Sequence, residues 1–104
     1  MAYKLRTSSV VTVASAGTAQ PLSATSVLAT DIIIIMADHA NGGRIFVGDS
    51  TVSSTTGQFL AAGESLTIST ATVRGTADDF DLADIYIDAA TNGDKARVAY
   101  IARK

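Results

Sequence analysis

Apolar positions along this chain fall in short runs of β-branched and aliphatic residues, bounded by Gly, Asn, Asp and Ser and recurring about every ten to fifteen residues, and helical spacing is nearly absent. The pattern predicts an all-β protein, a compact β-sandwich of antiparallel strands. Strands are expected over Tyr3–Arg6, Ser9–Ala14, Asp31–Ala37, Arg44–Gly48, Glu64–Ser69, Thr72–Arg74, Asp84–Asp88 and Lys95–Ala102. The segment Leu22–Ala29 suits either a strand or one helical turn.

Ile32-Ile33-Ile34-Ile35-Met36 is apolar at every position, and successive side chains of a strand point to opposite faces. Both faces of this strand therefore need cover, because two bare isoleucines would forgo about 1.5 to 3 kcal/mol each. Two arrangements supply it. Either Ile33 and Ile35, or the alternate pair, pack against another subunit, or the strand is central and a long loop of the same chain lies over it.

Asn92-Gly93 is the preferred pair for a two-residue type I′ turn, whose central residues both need positive φ. With that pair at the tip of a hairpin, Asp88 faces Arg97, Ile87 faces Val98 and Ile85 faces Tyr100, so the apolar pairs share one face and the ion pair takes the other. Such an exposed ion pair contributes about 0 to 1 kcal/mol and selects the register more than it stabilises the fold.

The 104 residues suit a single domain, 1–104, with 1–8 as an extended N-terminal arm that reaches a neighbour by strand addition. Only 17% of them are charged, below the roughly 25% usual in soluble domains, so solubility rests on Ser and Thr or part of the surface is covered by partners. A net charge of -2 with scattered Lys and Arg argues against nucleic acid. The absence of cysteine excludes disulfides, thiolate metal sites and thiol redox chemistry. No apolar run approaches the ~20 residues of a membrane-spanning helix, and Thr7, Ser8, Ser9 and Thr12 interrupt what would be the core of a secretion signal.

Side chains that carry chemistry are sparse. Asp78, Asp79, Asp81 and Asp84 offer oxygen ligands for Ca²⁺ but lack the EF-hand order, and such a cluster is more often a solvated loop before a strand, here anchored by Phe80 and Leu82. His39 has no second ligand-type neighbour for zinc, and no G-x-S-x-G elbow accompanies it as the single base. Gly42-Gly43 lacks the Lys-Ser/Thr ending of a phosphate loop and reads as a turn into a strand. Arg44 and Arg74 suit either an acidic partner surface or the guarding of a strand against edge association. Tyr3, Tyr86 and Tyr100 are too dispersed to mark a sugar-stacking platform. No catalytic, cofactor or metal residues are expected.

Ile45-Phe46-Val47-Gly48-Asp49-Ser50, Leu60-Ala61-Ala62-Gly63-Glu64-Ser65-Leu66 and Asp84-Ile85-Tyr86-Ile87-Asp88 followed by Asn92-Gly93 form one pattern, completed by Val11-Thr12-Val13 and Asp81-Leu82-Ala83. It resembles small virion proteins of tailed bacteriophages, of the capsid decoration or cement type, over most of Val10–Tyr100. Ala62 stands where such sequences often have proline before the corner glycine. The resemblance implies a jelly-roll-like β-sandwich, made in the host cytoplasm, that sits as a homotrimer on the major capsid protein at the virion surface and stabilises the lattice. A tail, baseplate or head-fibre component and a carbohydrate-binding β-sandwich are the other roles such a chain suits. Tyr3, Leu5, Ile33, Ile35, Arg44 and Arg74 are the candidate subunit or capsid contacts.

Overall fold

Among residues 3–7, 10–30, 32–69 and 79–103, which the computed structural model describes, the strand pairs run in an ordered series from the two ends of the chain to its middle. β1 (Tyr3–Thr7) pairs with β11 (Lys95–Arg103), β2 (Val11–Thr12) with the start of β11, and β3 (Gln20–Pro21) with β10 (Tyr86–Ala89). β4 (Leu28–Thr30) pairs with β9 (Asp79–Asp81), β5 (Ile32–Ala37) with β8 (Ser65–Ser69), and β6 (Ile45–Gly48) with β7 (Gln58–Leu60). All are antiparallel. The matched residues Leu5 and Ile101, Gln20 and Ile87, Ile33 and Ile68, and Phe46 and Phe59 converge on a tip where Ser53 bridges Thr56. Closing that tip requires glycine at position 57, where φ is 85° and a Cβ would lie 2.5 Å from the Val47 carbonyl oxygen.

The protein is thus one long antiparallel ribbon, and wrapping it makes two sheets. The first has the order β1-β11-β5-β8 with β2 also paired to β11, and the second has the order β3-β10-β6-β7. Contacts between successive turns of the ribbon are the β11·β5 and β10·β6 pairings. First strand against last, and so on inward, in two packed sheets is the jelly-roll arrangement. The β4·β9 pair lies along the ribbon between the β3·β10 and β5·β8 pairs, followed by a short 3-10 turn, Leu82–Asp84.

Alternation along the strands builds the core between the sheets. The first sheet contributes Ile33, Ile35, Ala37, Ala96, Val98, Tyr100 and Ala102, and the second contributes Ile45, Val47, Leu60, Ile87 and Ala89. Each isoleucine removed from water in this way stabilises the fold by about 1.5 to 3 kcal/mol.

Several expectations need correction. The Asn92-Gly93 turn exists, with Asp94 N–H donating to the Thr91 carbonyl at 3.3 Å and Gly93 at a φ of 86°, but it joins strands of different sheets. Consequently Asp88 does not face Arg97, nor Ile87 Val98; Ile87 sits opposite Val47 and Gln20, and Tyr100 sits opposite Arg6 and Ile33. Residues 3–7 are not a free arm, since they form the edge strand β1. Leu22–Ala29 leads into a strand, β4, instead of a helical turn. The expected strand Thr72–Arg74 lies outside the described residues.

Candidate functional site

The outward side of the first sheet is an apolar band. Cross-strand pairing sets Thr7, Ala99, Ile34 and Thr67 in one row and Arg97, Met36 and Ser65 in the next, with Leu5 beside Ile101. On β5 the alternation is decisive: Ile33 and Ile35 are 1% and 0% exposed, whereas Ile34 and Met36 are 36% and 40% exposed and Leu5 is 66% exposed. A shallow concavity of about 360 Å³ opens here, lined by Thr7, Val10, Ile34, Met36, Arg97 and Ala99 among others. Hydroxyl-bearing Ser65, Thr67 and Ser69 of β8 border the band on one side. At its end, Arg97 Nε lies 3.6 Å from Asp38 Oδ1 and His39 Nδ1 lies 3.3 Å from the same atom. Neither approach is a hydrogen bond, and the Arg97 guanidinium is the charged group facing that buried oxygen.

The polar residues that could have marked chemistry are committed to holding loops. Asp94, buried, accepts from Gly42 N–H at 3.1 Å and Gly43 N–H at 2.9 Å, so the diglycine is an anion nest filled by the protein's own carboxylate. Asp88, also buried, accepts from Gly17 N–H at 2.9 Å and Ala89 N–H at 2.8 Å. Asn92 accepts from Ala16 N–H at 2.7 Å. These contacts fasten the segments around 16, 42 and 92 to one another at one end of the sandwich.

Asp81 plays the same part in the β4·β9 region. Its carboxylate accepts from Ser26 Oγ–H at 2.6 Å, Ala83 N–H at 3.0 Å and Val27 N–H at 3.1 Å, and these bonds to the charged form, the Ser26 hydroxyl foremost, hold its pKa below the ordinary value. The Thr51 hydroxyl and then the Thr51 amide do likewise for Asp49 near the ribbon tip. Of the acidic cluster considered for calcium, Asp84 is exposed, Asp78 lies outside the described residues, and so does the side chain of Asp79. Among the described residues no three His, Asp or Glu side chains are grouped to hold a metal ion.

The predicted contact residues separate in this structure. Ile33 and Ile35 are unavailable to any partner because they fill the chain's own core; the alternate pair, continued by Met36, faces outward. Leu5 lies on the same outward face. Tyr3 opens β1 opposite Arg103, and Arg74 lies outside the described residues. Arg44 directly precedes β6 of the other sheet, its guanidinium 4.5 Å from the centroid of the exposed Phe59 ring, a cation–π contact at the β7 edge. Met36, Val10 and Arg97 belong to the band and were missed, although the unbroken run Ile32–Met36 carried the signal for the first of them. Compared with protein-family models, with curated proteins and with solved structures, the chain matches none.

Proposed function

We propose that the protein is a structural component of a tailed-bacteriophage virion, a capsid decoration or cement protein that docks the outward face of its first sheet on the capsid lattice. The observation that carries this reading is the band of Ile34, Met36, Val10 and Leu5, exposed among the described residues, on a chain that buries Ile33 and Ile35 almost completely. Removing apolar surface from water stabilises a complex by roughly 25 cal/mol per Å² before the costs of association. A protein that binds the closed lattice selectively stabilises that state, and repetition over a symmetric shell multiplies a modest interface. The commitment of Asp81, Asp88 and Asp94 to loop fastening supports an architectural role, as does the resemblance of the turn-and-strand pattern to small virion proteins. In this reading the partner is the major capsid protein, on which the chain sits as a trimer.

Purified protein added to shells that lack it should co-sediment with them and raise their melting temperature. Ile34→Asp combined with Met36→Lys should abolish both effects while the variant keeps a cooperative unfolding transition. Binding to tails or fibres in place of shells would reassign the protein to those parts of the particle, and binding to neither would overturn the virion reading.

A further inference from the structure

The dipeptide Asn-Gly occurs at Asn41-Gly42 and Asn92-Gly93, and in both places the fold holds the atoms that would react. In an unrestrained pair, glycine has no side chain to hinder attack of its nitrogen on Cγ of the preceding amide. The glycine N–H proton passes to water, the N–Cγ bond forms, the Cγ–Nδ2 bond breaks and Nδ2 leaves as ammonia. Water then opens the ring to aspartate or isoaspartate. We infer that Asn41 and Asn92 are spontaneous deamidation sites gated by the fold, with Asn41 held the more tightly.

Asn41 is engaged at both ends of its amide. Its Nδ2 donates to the Lys95 carbonyl at 2.8 Å and its Oδ1 accepts from Lys95 N–H at 2.8 Å, so the side chain serves Lys95 as a strand partner just past the end of β5. The attacking nitrogen, that of Gly42, donates to Asp94 Oδ1 at 3.1 Å. Ring closure therefore requires all three bonds to break together. At Asn92 the Gly93 nitrogen donates to the Val13 carbonyl at 2.8 Å, but the amide is held through Oδ1, by Ala16 N–H, and the turn is exposed. The consequences of reaction differ in the same direction. An aspartate at 92 keeps the acceptor that Ala16 uses, whereas one at 41 loses the donor to Lys95 and sets an anionic oxygen against a carbonyl, next to buried Asp94.

The test is peptide-resolved mass spectrometry of the intact chain incubated at mildly alkaline pH, in buffer and in guanidinium. In guanidinium both asparagines should gain the mass of deamidation at similar rates; in buffer Asn41 should react at least about tenfold more slowly than in denaturant, and no faster than Asn92. Equal rates at Asn41 in the two conditions, or no mass gain at either site in guanidinium, would overturn the inference. Substitution gives a second readout: Asn41→Asp should lower the melting temperature by about 5 °C or more, and Asn92→Asp should change it by less than about 2 °C. An Asn41→Asp variant that melts like the parent, or an Asn92→Asp variant that loses as much, would overturn the tighter hold on Asn41.

Discussion

The outward faces of the two sheets are covered to different degrees by the same chain. On the second sheet Phe46 and Asp88 sit opposite one another on the side away from the core residues Ile45, Val47 and Ile87, yet both are buried, and the 14–19 loop reaches this side to donate Gly17 N–H to Asp88. On the first sheet the equivalent positions, Ile34 and Met36, remain partly exposed among the described residues. The cover on the second sheet is local, since Phe59, opposite Phe46 on the same side, is exposed, whereas among the described residues neither Ile34 nor Met36 has the cover that Phe46 and Asp88 have. The lesson is that an apolar residue becomes informative about function through what its symmetric counterpart does.

The largest expected effect breaks the comparison between neighbours on one strand. Ile35→Ala leaves a cavity between the sheets and should cost about 2–5 kcal/mol in urea unfolding. Ile34→Thr or Met36→Thr, one residue away, should stay within about 1 kcal/mol, since a β-branched residue suits an outward strand position. Similar losses at 34 and 35 would mean that the band is covered after all. Next in size is the covered face: Asp88→Ala takes the side-chain acceptor from the buried Ala89 N–H and the part-buried Gly17 N–H and should cost about 1–3 kcal/mol, measured the same way.

These sites also show what could be seen before the structure and what could not. Strand positions and the need of Ile32–Met36 for cover on two sides follow from local alternation, which is a property of the segment itself. Which isoleucines face inward depends on register against β11 and β8, which are distant in sequence, and it came out as Ile33 and Ile35. The hairpin at Asn92-Gly93 failed for a related reason. Turn chemistry fixes a reversal of the chain, whereas pairing is decided by the whole ribbon, and β6 and β3 take β10 while β5 and β1 take β11. Asp88 is expected from the sequence in an exposed ion pair with Arg97, and its burial, like that of Asp94, is not visible there because the donors Gly17, Gly42 and Gly43 are backbone groups from remote loops that leave no side-chain signature. Short strands β3, β7 and β9 carry Gln20-Pro21, Gln58 and Asp79-Phe80-Asp81, compositions that tertiary pairing overrides.

The smallest expected effect concerns acid. Asp81 has its pKa lowered by the Ser26 hydroxyl and then by backbone amides, so as pH falls the unfolded chain takes up a proton at this group before the folded chain does. Its stabilising contribution is therefore complete above the ordinary aspartate value of 3.8 and is lost as pH drops through the lower folded value. The melting temperature should fall below about pH 4, and Asp81→Asn, which cannot titrate, should start slightly lower near neutrality and decline less steeply, the two curves converging in acid. Ile34→Thr and Met36→Thr should leave the acid decline unchanged, because the row Thr7, Ala99, Ile34 and Thr67 and the row Arg97, Met36 and Ser65 contain no carboxylate. A shift of the acid decline in those variants would show that the bare face is coupled to the charged corner at Asp38, and the distinction drawn between the two outer faces would then have to include electrostatics as well as cover.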